Sequence, residues 1–166
     1  SFCNLNNKQD WRITDLHLVN NDKTAGSLGG DYNMQRIILQ HLRIEGFSTA
    51  IGWSHWNNDS NLMTIDQMVI SDCDLKNSQS NVVYIGGERI ALLGSIIQNS
   101  MDTHVARVWQ AYLGVISNNI ISGSSLDTDA GRHALKLHGP GYKSSTGVNE
   151  YGPPQVGTGL LENRTE

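Results

Sequence analysis

The 166-residue sequence is short of several things, and each shortage removes a class of protein. Its only two cysteines, Cys3 and Cys73, lie too far apart in the chain to suggest a disulfide framework, so two free and largely packed thiols are expected. No apolar run approaches the roughly 20 residues that cross a bilayer, so no membrane span is expected. The opening SFCNLNNKQD lacks the basic and apolar regions of a signal peptide. A start at Ser1 rather than Met leaves room for a signal peptide or longer segment removed upstream. Basic charge is scarce too: 12 Lys and Arg against 16 Asp and Glu give a net charge of −4, without the broad positive field that nucleic-acid binding needs. Amphipathic helical windows are missing. Ile, Val and Leu come instead in short runs among Asn, Ser and Gly, the balance of an all-β, turn-rich single domain.

What the sequence does have is repetition. Five segments share one grammar: WRITDLHLVNN from Trp11, RIILQHLRIEG from Arg36, MVISDCDLKNS from Met68, RIALLGSIIQNS from Arg89 and GVISNNIISGS from Gly114. They superpose on Ile13, Leu39, Ile70, Leu92 and Ile116, at spacings of 26, 31, 22 and 24 residues. Three residues on come Leu16, Leu42, Cys73, Ser95 and Asn119, and two further on Leu18, Ile44, Leu75, Ile97 and Ile121. An apolar anchor, a break in alternation and a second apolar anchor describe two short strands joined by a tight bend.

Between these segments lies a third strand: TAIGW (49–53), NVVYIGG (81–87), HVARVWQ (104–110) and HALKLHG (133–139). Three short strands per repeat make one triangular coil, whose inner face is buried only by stacking on its neighbours. A leucine-rich repeat would need its fixed Leu and Asn ladder and a helix in each unit, and a propeller blade needs about 40 residues. The expected fold is therefore all-β: a right-handed parallel β-helix, a single-stranded solenoid of about five coils with three short strands per coil.

From Trp11 to Gly139 this pattern resembles the pectate-lyase-like superfamily of right-handed parallel β-helices. GVISNNIISG carries the resemblance best, with Asn119 similar to that superfamily's bend asparagine. Leu, Cys and Ser replace asparagine at the other bends, so no long asparagine ladder is expected. The resemblance implies that the third-strand series is the superfamily's first sheet, where its enzymes hold substrate. Coils are expected over 1–139, and a long Gly- and Pro-rich loop over 140–166, leading to LLENRTE, where a further coil would start. No capping helix precedes Trp11, so the solenoid is expected to continue into further chain segments or subunits.

Strand parity places Ile51, Trp53, Val83, Ile85, Ala106, Val108, Leu135 and Leu137 inward. One outward column then holds Gly52, Tyr84, Arg107 and Lys136, and the next Ser54, Gly86, Trp109 and His138. Aromatic rings beside cations suit an anionic polysaccharide: the ring packs on a sugar face while Arg and Lys pair with carboxylate or sulfate. An ordinary exposed sheet face with solvated cations is the plainer alternative. If the patch is catalytic, β-elimination on a uronic acid is the natural chemistry. Lys136 would act as base, Arg107 would stabilise the charge that develops, and His138 or Tyr84 would protonate the leaving oxygen, with Tyr84 and Trp109 also binding substrate.

Similar lyases recruit calcium, the one cofactor the resemblance suggests, and Asp102, Asp127 and Asp129 lie in the loops entering these strands. Hydrolysis would need paired carboxylates. The tight pair Asp72 and Asp74 falls instead on a bend, as exposed acids flanking an inward Cys73. His104 and His133, below Asn81, share inward parity and are expected to stack as a polar ladder, with a two-histidine metal site as the alternative. His41, His55 and Trp56 lie outside the patch, and the loop SHWNNDSN (54–61) would wall a cleft. The functional expectation is a secreted or cell-surface polysaccharide lyase, or else a non-catalytic glycan-binding adhesin, tailspike-like or scaffold β-helix.

Overall fold

The computed structural model describes residues 2–30, 32–53, 65–124 and 132–138, with the backbone alone at Trp109, Gln110, Tyr112 and His138. The expected loop over 140–166, the segment 54–61 with His55 and Trp56, and Asp127 and Asp129 lie outside these residues. In chain order the strands are β1 (Cys3–Asn4), β2 (Arg12–Thr14), β3 (His17–Val19), β4 (Leu28–Gly30), β5 (Met34–Gln40), β6 (Arg43–Glu45) and β7 (Ile51–Trp53). There follow β8 (Ile65–Ser71), β9 (Asp74–Ser78), β10 (Val83–Leu93), β11 (Ile96–Ser100), β12 (Ala106–Ser117), β13 (Ile120–Ser124) and β14 (Leu135–His138). No helix occurs among the described residues, so none there could cross a membrane.

The pairings fall into three parallel series. The first runs β1, β4, β7, β10, β12, β14; the second β2, β5, β8, β10, β12; the third β3, β6, β9, β11, β13. β10 and β12 belong to two series because each runs unbroken round the corner between them. The result is an all-β chain of parallel strands in curled sheets, a parallel β-helix-like solenoid. The first series begins earlier than the third-strand segments that the repeat marks out, with β1 and β4.

Register follows the anchors. Ile13 pairs with Leu39, Leu39 with Ile70, Ile70 with Leu92 and Leu92 with Ile116, while Leu18, Ile44, Leu75, Ile97 and Ile121 pair in the same way. The interior members are buried: Leu39, Ile44, Ile70, Leu75, Leu92 and Ile97 form the core with Ile51, Trp53, Val83, Ile85, Ala106 and Val108 of the first series. Uniform burial of both columns is what the repeat predicts, and here the structure differs. Ile13, Leu18, Ile116 and Ile121 are only partly buried, and Leu135 and Leu137 are 36% and 40% exposed. Each stands on an outermost described rung, so among the described residues one side of its side chain has no coil stacked against it.

The corner between the second and third series has a fixed chemistry. Two residues after each first anchor stand Asp15, His41, Asp72, Gly94 and Asn118, all left-handed with φ from 53° to 58°. This region strains most side chains, but Gly, Asn, Asp and His tolerate it best, and one of these four types occupies every position. At this corner the two residues between β12 and β13 are Asn118, which takes the left-handed conformation, and Asn119, the expected bend asparagine. Asn119 lies one step on, where its Oδ1 accepts the Ser95 N–H at 2.9 Å and its Nδ2 donates to the Leu92 carbonyl at 2.7 Å. Ser95 repeats the move one coil back: its Oγ accepts the Cys73 N–H at 3.1 Å and donates to the Leu93 carbonyl at 2.9 Å. Cys73 is buried, and burial pushes its thiol up to about 11, so it is an inert part of this ladder. Both cysteines are free.

A second left-handed column, Gly46, Asn77, Asn99 and Gly123, sits within the third series. Asn99 Nδ2 donates to Asn77 Oδ1 at 2.9 Å and Asn77 Nδ2 to Glu45 Oε1 at 2.8 Å, a ladder of two asparagines away from the bend. Gly46 is obligatory here, because a Cβ would stand 1.9 Å from the Asn20 carbonyl oxygen and its φ is +78°.

Leu92→Ala, in the middle of a column, should cost about 2–5 kcal/mol in equilibrium denaturation, and Ile116→Ala on the outer rung clearly less. Equal losses at both sites would contradict the stacking. Asn119→Ala leaves the Ser95 N–H and Leu92 carbonyl without their partner, and should cost about 1–2 kcal/mol by the same measurement.

Candidate functional site

The first series places the outward residues on one line. Asn4 pairs with Gly29, Gly29 with Gly52, Gly52 with Tyr84, Tyr84 with Arg107 and Arg107 with Lys136. Their inward neighbours Ile51, Val83, Ala106, Trp53, Ile85 and Val108 are buried, and this alternation turns Tyr84, Arg107 and Lys136 to the opposite face, where all three are half-buried. Adjacent rungs lie about 4.8 Å apart. The Arg107 guanidinium stands over the Tyr84 ring, 5.3 Å from its centroid, a cation–π contact that holds the cation against an aromatic face. Among the described residues, no carboxylate makes an ion pair with Lys136.

In the adjacent column the backbones of Gly86, Trp109 and His138 are paired as the parity predicts, while the side chains of Trp109 and His138 lie outside the description. Directly after this row the register shifts: Gly86 pairs with Trp109 but Gly87 with Ala111, so Gln110 is an extra residue in β12. Such a bulge bends its strand and increases its twist. Here it falls where β12 passes from the first series to the second. Opposite it Gly87 has φ +149°, and a Cβ there would meet the Ile65 carbonyl oxygen at 2.6 Å. The Gly86–Gly87 pair is the sequence signal that could have located the bulge.

His104 and His133 stack as their parity predicts, with ring centroids 5.3 Å apart and planes 7° from parallel. His133 N–H donates to His104 Nδ1 at 3.0 Å. Burial, then the cations Lys136 and Arg107, then His133 and Arg132 push the His104 imidazole down to about 4. Arg132, which carries no periodic signal in the sequence, is thus part of the same positive cluster, and its Nη1 donates to the Met101 carbonyl at 3.2 Å. Parallel stacked rings are a packing arrangement, not a chelating one, and no group of three metal-ligating side chains occurs among the described residues.

Asp102 lies at the corner leading into β12. Its N–H donates to the Gln79 carbonyl at 2.9 Å and its carboxylate accepts from Gln79 Nε2. Calcium ligation through Asp102 would have to compete with that bond, so the described residues alone do not make a calcium site. Asp72 and Asp74 flank buried Cys73 on the bend, away from the cation column. Asp74 faces Arg43 at 3.7 Å and Lys76 at 3.4 Å, and Asp72 accepts from Gln40 at 3.2 Å. His41 stands between Asp15 and Asp72 at 3.5 Å and 3.9 Å on the same bend.

Comparison of the chain with protein-family models, with curated proteins and with solved structures finds no match.

Proposed function

We propose that the chain is a section of a right-handed parallel β-helix of five stacked coils, of pectate-lyase-like type, that acts outside the cell on an anionic, uronate-containing polysaccharide. The observation that carries this reading is the register-locked column Tyr84, Arg107 and Lys136, with the guanidinium held against the ring. A sugar ring laid across these rungs finds an aromatic face for its apolar side and the Arg107 guanidinium for its carboxylate, with the Lys136 nitrogen one rung on.

The reaction is β-elimination. Lys136, as the neutral amine, takes the proton from the carbon beside the carboxylate while Arg107 pairs with that carboxylate and stabilises the charge that spreads onto it. The carbon–oxygen bond to the next sugar then breaks, a carbon–carbon double bond forms, and His138 or Tyr84 gives a proton to the leaving oxygen. Trp109 extends the binding face. If calcium takes part, Asp102, Asp127 and Asp129 would hold it, and it would neutralise substrate carboxylate; no step above depends on it.

A non-catalytic glycan-binding adhesin or scaffold is the second reading. The Arg107–Tyr84 contact favours it, because a guanidinium braced on an aromatic ring binds a uronate without any base.

Incubating the protein with a panel of uronate polymers, while following ultraviolet absorbance of the unsaturated product, separates the two. For a lyase, absorbance rises with at least one polymer, and Lys136→Ala lowers the rate by about 10²–10⁴-fold while retaining most affinity. For a binder, absorbance stays flat, and Arg107→Ala, Trp109→Ala and Lys136→Ala each weaken affinity about tenfold. Neither turnover nor binding with any polymer would remove the site.

A further inference from the structure

β7 is three residues long, and its middle residue, Gly52, faces outward between buried Ile51 and Trp53. The strand is a central one, paired with β4 on one side and β10 on the other. Glycine weakens such a strand, because it gives up more backbone freedom on folding and packs no side chain. Its partner Gly29 is fixed by the fold, since a Cβ there would run into the Gly52 carbonyl oxygen. Gly52 is under no such constraint. Its φ is not positive. Among the described residues, a Cβ on it would meet the Thr49 methyl at 3.1 Å and no backbone atom nearer than the Tyr84 carbonyl oxygen at 4.0 Å.

Gly52 stands in the outward column directly before Tyr84, with Arg107 and Lys136 on the rungs that follow. On the proposed reading, the Arg107 guanidinium and the Tyr84 ring hold one uronate. A polymer that continues along the column passes next over the Gly52 rung, about 4.8 Å further on. Strand parity would put the side chain of any other residue at 52 on that same face, in the path of the polymer. The backbone does not require this glycine, whereas a sugar unit lying close to the strand does.

We propose that Gly52 is the specificity-determining residue of the column: it makes room for the sugar unit next to the uronate held at Arg107, so that the site takes a chain laid along the solenoid axis in preference to a single sugar acid. The proposal rests on the reading of the column as a uronate site. In the column, neither Gly52 nor Gly29 offers a side chain that could pair with an acid group. The subsite therefore selects for closeness to the backbone and not for charge. A side chain at 52 shuts it while leaving Tyr84, Arg107 and Lys136 in place.

The test combines melting temperature with nuclear magnetic resonance titration of the full chain by polygalacturonate, alginate and hyaluronan, each beside its free uronic acid. Thr49→Ser removes the methyl that a Cβ at 52 would press, and serves as the background. In that background Gly52→Ala and Gly52→Thr should keep or raise the melting temperature, because both residues suit a strand better than glycine. Affinity for the polymer that the background binds should fall about tenfold or more. Affinity for the free acid should stay the same. A lower melting temperature in Gly52→Ala would make the glycine structural and overturn the proposal. Undiminished polymer affinity, or an equal loss for polymer and free acid, would overturn it as well. Absence of wild-type binding to every polymer would instead remove the uronate reading, and the proposal with it.

Discussion

Hydrogen bonding between coils governs everything else in this structure. A strand in a parallel solenoid has no partner within its own coil, so its N–H and C=O groups are satisfied only by the coil before and the coil after. That requirement makes register absolute. Sliding one coil by a single residue would turn Leu39, Ile70 or Leu92 outward and send its polar neighbour into the core. The chain meets the constraint by holding one interval constant: five residues separate Ile13 from Leu18, Leu39 from Ile44, Ile70 from Leu75, Leu92 from Ile97 and Ile116 from Ile121. The variation between repeats falls in the remaining part of each coil, where it leaves the anchors aligned.

The corners carry the same logic in polar form. Each coil must turn sharply at one place, and stacking puts those turns one above another, so left-handed residues form columns as the aliphatic anchors do. Beside the turn, a side chain that reaches one coil back can satisfy a backbone N–H left over by the bend. Asn119 does this for Ser95, and Ser95 does it for Cys73. Toward β2 the position becomes buried Leu42 and then Leu16, which is exposed, and the polar ladder ends. A stack therefore tolerates a change of chemistry from coil to coil, provided each member suits its two neighbours.

These rules explain what could be read from the sequence and what could not. Both anchor columns and the inward and outward parity of the first series were legible because period two and a fixed interval are carried by many residues at once. Asn119 is legible as a bend residue, while the left-handed partner beside it is marked by a different series, Asp15, His41, Asp72, Gly94 and Asn118. β1 and β4 were missed because Cys3–Asn4 and Leu28–Gly30 are too short to show alternation. In the site, Tyr84, Arg107 and Lys136 followed from parity alone. Arg132 did not, because it precedes its strand and reaches the cluster through a corner that no periodicity describes.

A solenoid is close to one-dimensional, so position along its axis is also position along any polymer that lies on its face. The outward column of the first series changes in order from Asn4, Gly29 and Gly52 to Tyr84, Arg107 and Lys136. A chain laid along it would pass over rungs with little side chain, then an aromatic ring, then two cations. The corner column changes on the same rungs, from buried Asn81 and His104 to exposed His133. Because strands alternate their faces, cations on the outside fall within electrostatic reach of the buried His104 imidazole, which burial first and then Lys136 and Arg107 push down. Charge on the outer face and the proton on the inner corner are thus set by the same two strands, and a substitution at either should be felt by the other.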